Sequence, residues 1–289
     1  MKTNDAQTQW LGDLFDSTFP ESDYLIGEGL LERGSLLMLG GPPKAFKSFL
    51  INTFVYHLVL GGHLFGAYRA PHGRPEMCLP VRGGQRVLLF ENEIGPRECR
   101  DRFLSLTHNM TPEQRSLFRQ SVAIHSCDYG IRLDSPDGLQ RIASVIEAVR
   151  PTVVAFDPLI EFHGQDENST QGMARVLHNL DLLRTRYQFT TIISHHTGKP
   201  DPSKGRSGPD LLRGNSVIFG KGDSFLMVTH VSRREGQLTL DFTIRRGAPI
   251  SQMRLALNWA EKRAMFLKWS HGKDSEGPID VAQLVNMTQ

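Results

Sequence analysis

The chain has 289 residues, with 33 Lys and Arg against 31 Asp and Glu and a formal net charge of +2. This balance excludes a polycationic nucleic-acid coat and an acidic tail protein, so any contact with nucleic acid must be a local patch. The three cysteines, Cys78, Cys99 and Cys127, are far apart in the chain. That spacing argues against a disulfide framework or a zinc finger and fits a reducing compartment, so we expect a cytoplasmic protein.

The ends of the chain differ in composition from its centre. Residues 1–22 are predicted to form an arm or first helix, and they lack the apolar segment of a secretory signal. Residues 23–270 are predicted to form one domain, and residues 271–289 a polar tail with the composition of a mobile segment. Apolar runs are far shorter than the about 20 residues that a membrane span needs, so no membrane contact is expected.

Short apolar runs alternate with helical patterns through most of the chain. Buried strands are predicted at residues 34–40, 86–90, 122–125, 152–156 and 190–194. Helices are predicted at residues 48–60, 97–106, from 111 onward, 139–149 and 170–187, with an irregular segment at 61–85. Later segments alternate like antiparallel strands, at residues 223–229, 237–245, 252–259 and 264–268. The sequence therefore predicts an α/β fold, with a mainly parallel sheet covered by helices on both faces and an antiparallel C-terminal extension.

The strongest motif lies between the first buried strand and the helix that follows it. Residues 41–48 (GPPKAFKS) approximate the phosphate-binding pattern G-x-x-x-x-G-K-[ST]. In such a loop, backbone N–H groups and the helix dipole bind phosphates, the lysine contacts the β- and γ-phosphates, and the hydroxyl ligates Mg²⁺. The predicted ATP-binding residues are Gly41, Lys44, Ala45, Phe46, Lys47, Ser48 and Phe49. The alternative is a Gly/Pro turn followed by a helix that happens to carry a lysine.

Phe46 departs from the phosphate-binding pattern because it stands at the position of the second glycine. If this residue needs a positive φ, the phenylalanine costs about 1–2 kcal/mol of backbone strain. Its backbone N–H can still donate to a phosphate. Phe46 therefore puts the rate of hydrolysis in question more than the binding of a nucleotide.

Acidic residues follow two of the buried strands. Asp157 ends the run TVVAF and is predicted to support Mg²⁺ together with Ser48, although such an aspartate can also cap a turn. Glu93 closes the segment VLLFENE, where a carboxylate can polarise the attacking water. Glu91 and Glu93 lie on the same side of an extended chain, so the sequence leaves open which of them faces the nucleotide. Glu93 is the predicted base, and a solvated loop acid is the alternative.

His195 and His196 follow the buried strand predicted at residues 190–194. Adjacent residues of a strand point in opposite directions, which disfavours a shared metal site. A polar sensor for the γ-phosphate is the preferred interpretation of this pair.

Two basic segments are candidates for intermolecular contacts. The loop at residues 197–215 is rich in Gly, Pro and Ser, and loops of this kind contact nucleic-acid backbones or simply remain solvated. Its predicted DNA-binding residues are Lys199, Lys204, Arg206 and Arg213. Arg245 and Arg246 end a predicted strand, where they could stabilise phosphoryl charge in a neighbouring subunit or form an ordinary solvated pair.

The order of these motifs resembles the RecA-like ATPase superfamily, and in particular the RepA group of hexameric replicative helicases of plasmids and mobile elements. The similarity runs from about residue 25 to residue 250. It is carried by GGPPKAFKSF, VLLFENE, VVAFDPLIEFHGQDENST, and IISHHTGKP followed by LLRGNSV.

The resemblance implies a role for each matched segment. It implies that Lys47 and Ser48 bind the triphosphate and Mg²⁺, that Asp157 supports the metal and that Glu93 activates water. It further implies that His195 and His196 couple the γ-phosphate to the following loop, and that this loop is the channel-facing DNA contact. Arg245 or Arg246 would be the arginine offered to a neighbouring subunit, because these relatives are ring-shaped oligomers with ATP sites between subunits.

From these observations we expect an ATP- and Mg²⁺-dependent oligomeric motor that acts on single-stranded DNA in replication or repair, and the resemblance implies a ring such as the hexamer of the relatives. One alternative is a nucleotide-binding switch or scaffold with weak turnover, which Phe46 favours. Another is an ATPase that acts on a protein partner, which the net charge near zero allows. A kinase is disfavoured because nothing in the chain suggests a pocket for an acceptor hydroxyl.

Overall fold

The structure is a computed structural model that describes residues 10–17, 23–27, 29–65, 79–126, 128–198, 212, 216–232, 237–257 and 267–269. Its helices are α1 (Leu11–Phe15), α2 (Lys47–Leu60), α3 (Pro96–Leu106), α4 (Pro112–Ser121), α5 (Pro136–Val149), α6 (Thr170–Tyr187) and α7 (Ser216–Lys221). Its strands are β1 (Tyr24–Ile26), β2 (Leu31–Glu32), β3 (Leu36–Gly41), β4 (Gly62–Leu64), β5 (Leu79–Val81), β6 (Val87–Glu91), β7 (Val122–Ser126), β8 (Val153–Asp157), β9 (Thr190–His196), β10 (Ser224–Ser232), β11 (Gln237–Ile244), β12 (Met253–Leu257) and β13 (Leu267–Trp269). A short 3-10 helix spans Leu159–Phe162.

Nine strands form the main sheet, in the order β13-β12-β11-β10-β3-β9-β8-β6-β7. The strands β10, β3, β9, β8, β6 and β7 are neighbours in that order and run parallel. The pairs β10-β11, β11-β12 and β12-β13 are antiparallel. This arrangement confirms an α/β fold with an antiparallel C-terminal extension. The prediction that β10 belongs wholly to the antiparallel part is wrong, because β10 also pairs parallel with β3. Its consecutive buried residues, Phe225 to Val228, suit a strand that is covered on both faces.

Helices cover both faces of this sheet because successive residues of its strands point in opposite directions. Leu37 and Leu39 of β3 face a core shared with α2, α3 and α4. Leu36 and Met38 face the other core, which α5, α6 and α7 complete. The continuous apolar runs in the sequence therefore reflect strands that are buried from both sides.

A second sheet of four strands, in the order β2-β1-β5-β4, packs on the α2 side. Its strand pairs are antiparallel, and Leu25, Ile26 and Val81 place their side chains in the same core as α2. The prediction that residues 61–85 are irregular is wrong for β4 and β5. Strands of two or three residues are too short to show a period of two in the sequence.

Helix boundaries follow local capping chemistry. The Thr111 hydroxyl accepts the Gln114 N–H at 3.2 Å, and the Gln114 side chain accepts the Thr111 N–H at 3.0 Å, which completes the capping box that starts α4. Helix α5 begins earlier than predicted, because Ser135 accepts the Gly138 N–H at 3.1 Å and Pro136 fits the first turn. Across the described part of the chain, no helix combines the length and apolarity that crossing a membrane requires.

Two helical glycines provide a test of this packing. A Cβ on Gly138 of α5 would lie 2.2 Å from the Arg132 carbonyl oxygen, whereas a Cβ on Gly220 of α7 would meet no atom within 4 Å. We expect Gly138→Ala to lower the free energy of unfolding by about 1–3 kcal/mol, because a backbone segment must move. Gly220→Ala should leave it unchanged or raise it by up to about 1 kcal/mol. Urea denaturation of both variants checks this, and equal stabilities would contradict the packing described for α5.

Candidate functional site

The loop between β3 and α2 contains two residues in the left-handed backbone region. Lys44 and Phe46 both have a φ of 61°, and Phe46 is the N-cap of α2. The conformation that glycine would adopt without strain is therefore kept with a phenylalanine in place. The half-buried Phe46 ring packs against the core on the α2 side and lies 6.0 Å from the Phe49 ring, so apolar contacts offset the strain.

Lys47, the first residue of α2, points back over this loop. Its side chain is 6% exposed, and its Nζ donates to the carbonyl oxygens of Gly41 and Pro42 at 3.0 Å each. The same Nζ lies 3.1 Å from Nδ1 of His196. The ammonium is thus held at the mouth of the loop, beside the helix N-terminus, where a phosphate anion would be favoured.

Burial and the neighbouring charges have opposite effects on the pKa of Lys47. Burial lowers the pKa of Lys47 to about 8, while the negative charges of Asp157 and Glu93 oppose this shift. An anion bound at the loop would favour the charged form of the lysine in the same way. The site is therefore suited to a negatively charged ligand.

Asp157 ends β8 and is completely buried beside the loop. Burial raises its pKa, whereas hydrogen bonds from Ser194 and Ser48 and the charge of Lys47 lower it. Ser48 and Asp157 are thus close enough to share a hydrogen bond and to offer hydroxyl and carboxylate oxygens, the donors that Mg²⁺ prefers. The two predicted metal ligands fit a magnesium ion that is also held by phosphate oxygens.

Glu91 and Glu93, which the sequence could not separate, have different surroundings. Glu91 is buried, and its carboxylate accepts the N–H groups of Glu93 at 2.9 Å and Ile94 at 3.0 Å. Burial raises the pKa of Glu91 to about 7 against the effect of these hydrogen bonds. Glu91 therefore stabilises the turn after β6.

Glu93 is exposed and is close enough to the loop for the charge of Lys47 to affect it. Partial burial and the charge of Asp157 raise its pKa, while the charges of Lys47 and Arg102 lower it. Its carboxylate is open to water near Lys47, which suits the predicted base.

The two histidines at the end of β9 face different neighbours. His196 contacts the loop lysine, as described above, whereas His195 is 0% exposed and its Nδ1 lies 3.8 Å from a Glu167 carboxylate oxygen. His196 thus contacts the phosphate-binding loop through Lys47, and His195 lies beside Glu167. That both side chains act at the γ-phosphate stays a prediction. The contact with Lys47 supports this role for His196.

The remaining predicted residues lie in three places. Lys44 is exposed on the loop, Ala45 is buried within it, and Phe49 is half-buried in the first turn of α2. Arg245 and Arg246 lie at the amino ends of the parallel strands, opposite the phosphate-binding loop. The reason is that the end of β11 pairs with the beginning of β10. The predicted DNA-binding residues Lys199, Lys204, Arg206 and Arg213 lie outside the described residues.

The sequence analysis missed two residues near the phosphate-binding loop. Ser194 donates a hydrogen bond to Asp157, and a serine within an otherwise apolar buried strand was a usable signal. Arg102 of α3 places its guanidinium 5.0 Å from the centroid of the Phe49 ring, a contact that the sequence alone does not reveal.

A phosphate-binding loop at the carboxyl end of a central parallel strand, with a buried lysine at its mouth and an aspartate on a nearby strand, defines a P-loop nucleotide-binding protein. A family model described as an AAA domain, AAA_25, matches residues 2–202. The chain belongs to this family of P-loop AAA-type ATPases, which implies nucleotide binding and usually Mg²⁺. None of the curated proteins compared with the chain matches it.

The burial of Glu91 predicts a specific pH dependence of stability. Because the folded-state pKa of about 7 is above the ordinary value of 4.5, the folded protein binds an extra proton between these values, and its stability falls as pH rises through this window. Glu91→Gln should remove this contribution, so the variant gains stability relative to wild type as pH rises from about 5 to about 8.

Urea denaturation at several pH values measures this difference. Glu113→Gln, an exposed substitution on α4, is the control: hydrogen bonds lower the pKa of Glu113 below its ordinary value of 4.5, so its curve should run parallel to wild type across this range. Parallel curves for wild type and Glu91→Gln would contradict the raised pKa.

Proposed function

We propose that this chain is a Mg²⁺-dependent ATPase with a RecA-like core, which works as an oligomer on single-stranded DNA. The observation that carries the ATPase part is the convergence of Lys47, Asp157 and Glu93 at the carboxyl edge of the main sheet. Each residue ends or follows a different strand, and the parallel sheet brings them to one edge. Membership in the AAA_25 family supports the same activity.

Phosphate binding is assigned to the loop and the first turn of α2. The N–H groups at the start of α2 and the Lys47 ammonium would hold the phosphates, and Ser48 and Asp157 would hold Mg²⁺. Mg²⁺, when bound, neutralises charge on the phosphate oxygens. Since phosphoryl transfer to water needs little covalent help, positioning and charge stabilisation by these residues suffice.

Water activation is assigned to Glu93. Its exposed carboxylate can accept a proton from an attacking water, whereas the buried carboxylate of Glu91 is occupied by two backbone N–H groups. His196, next to Lys47, is placed to respond to a phosphate at the loop.

The proposed partner is single-stranded DNA, and the proposed assembly is a ring, such as a hexamer, in the cytoplasm. It rests on the resemblance to RepA-type helicases and on the basic loop that contains Lys199, Lys204, Arg206 and Arg213. Arg245 and Arg246 lie at the edge opposite Lys47, so they could contribute only to the site of a neighbouring copy.

A nucleotide-dependent switch with weak turnover is the second candidate, and the left-handed conformation of Phe46 is the observation that favours it. A strained loop can bind phosphate yet place it imperfectly for attack by water. An ATPase that acts on a protein instead of DNA is the alternative for the partner.

ATP binding and hydrolysis with two site variants test the activity. Lys47→Ala should abolish nucleotide binding, because the ammonium at the mouth of the loop is lost. Glu93→Gln should bind ATP but lower kcat by about 100-fold, as expected for loss of a general base. Fluorescent-nucleotide binding and phosphate release measure both. Tight ATP binding by Lys47→Ala would contradict the P-loop assignment, and binding without turnover in wild type would favour the switch.

Single-stranded DNA tests the partner. We expect it to stimulate ATP turnover, and its affinity should fall steeply between about 50 and 200 mM salt because phosphate contacts release counterions. Lys204→Ala combined with Arg206→Ala should weaken DNA binding while leaving turnover without DNA unchanged. Turnover that does not respond to DNA, in the wild-type protein, would favour a protein partner.

A further inference from the structure

Arg102 is a cation at the candidate site that neither the motif pattern nor the family match assigns. It lies on α3, and its side chain is only 18% exposed. Its Nη2 donates to a Glu98 carboxylate oxygen at 2.6 Å, and its Cζ lies 5.0 Å from the centroid of the Phe49 ring. A guanidinium held this far from solvent needs such partners, because burial of an uncompensated charge is costly.

The Phe49 contact joins Arg102 to a second segment of the site, whereas the Glu98 pair lies within α3 itself. Phe49 lies in the first turn of α2, directly after Ser48. Glu98 lies in the first turn of α3, which follows the turn that carries Glu93. The Arg102 side chain therefore joins the start of the phosphate-binding helix to the segment of the predicted base.

Arg102 also acts on the charges of this edge. Burial raises the pKa of Glu91, Glu93 and Asp157, and the charge of Arg102 opposes this rise, as the charge of Lys47 does for Glu93 and Asp157. Three carboxyl groups thus share this edge with two cations of the same chain. This arrangement keeps the edge from accumulating uncompensated negative charge.

We propose that Arg102 is a positioning residue of the ATPase site: its guanidinium, oriented by Glu98 within α3, stacks on Phe49 and so fixes the segment that carries Glu93 against the phosphate-binding helix. This inference rests on the proposed function. Its consequence is that Arg102 supports the chemical step more than the binding of the nucleotide. The Phe49 stack requires the planar guanidinium, which an ammonium replaces only in part.

The test compares substitutions at two arginines of α3. Arg102→Ala should lower kcat about tenfold, equivalent to about 1.4 kcal/mol of barrier, while the Kd for ATP changes by less than about threefold. Arg102→Lys should retain part of the activity, because it keeps the charge. Arg100→Ala is the matched control and should behave as wild type, since Arg100 is exposed and pairs with its neighbour Asp101 at 2.8 Å.

Phe49→Leu gives a second route to the same contact if Arg102→Ala fails to fold. It keeps an apolar side chain in the first turn of α2 but removes the ring face on which Arg102 stacks. We expect it to reproduce the loss of kcat with little change in the Kd for ATP, because leucine keeps the backbone N–H through which residue 49 would bind phosphate.

The results separate this inference from the proposed function. A wild-type protein that hydrolyses ATP, with Arg102→Ala unchanged in kcat, would overturn the positioning role alone. A rise in the Kd for ATP with kcat retained would also overturn it, since Arg102 would then contact the nucleotide directly. No turnover by the wild-type protein would contradict the proposed ATPase and, with it, this inference.

Discussion

The burial of the Lys47 ammonium is the interaction on which the rest of the site depends. An ammonium that is 6% exposed loses most of its hydration, and this loss lowers its pKa to about 8. The carbonyl oxygens of Gly41 and Pro42 replace part of that hydration, and the charges of Asp157 and Glu93 replace another part. Conversely, the charge of Lys47 lowers the pKa of both acids. The lysine and the carboxylates therefore stabilise each other's charged forms at the edge where the parallel sheet brings the ends of β3, β8 and β6 together.

The phosphate-binding loop reaches its shape by packing as well as by backbone freedom. Two residues other than glycine, Lys44 and Phe46, adopt a φ of 61°. Each such residue costs about 1–2 kcal/mol relative to an unstrained backbone. The Phe46 ring recovers part of this cost against the core on the α2 side, beside Phe49. Since Phe49 in turn lies under Arg102, the aromatic replacement of a glycine links the loop to α3 through a continuous row of side chains.

The sequence predicted the elements whose signal is local and failed where the signal is not. The strand before Lys47, the strand before Asp157 and the helix over residues 170–187 have clear apolar patterns and lie close to where they were predicted. The four-stranded second sheet was missed because its strands are too short to show a period. The roles of Glu91 and Glu93 could not be separated either, because both lie on one side of an extended chain. Only the turn geometry, in which Glu91 accepts two N–H groups, distinguishes them.

The predicted site residues lie at the two opposite ends of the strands of the main sheet. Those at the carboxyl end can form a site within one chain, whereas those at the amino end cannot reach it. Parallel strands carry the loop, Asp157 and Glu93 to the carboxyl edge, whereas β11 runs antiparallel to β10 and returns Arg245 and Arg246 to the amino edge. There Arg245 donates to the Gly220 carbonyl oxygen at 2.9 Å and Arg246 lies 3.5 Å from a Glu32 carboxylate oxygen. The length of the strands separates them from the Lys47 of their own chain. In the proposed ring these arginines would serve the site of a neighbouring copy, while Arg102 is a cation that the chain supplies to its own site.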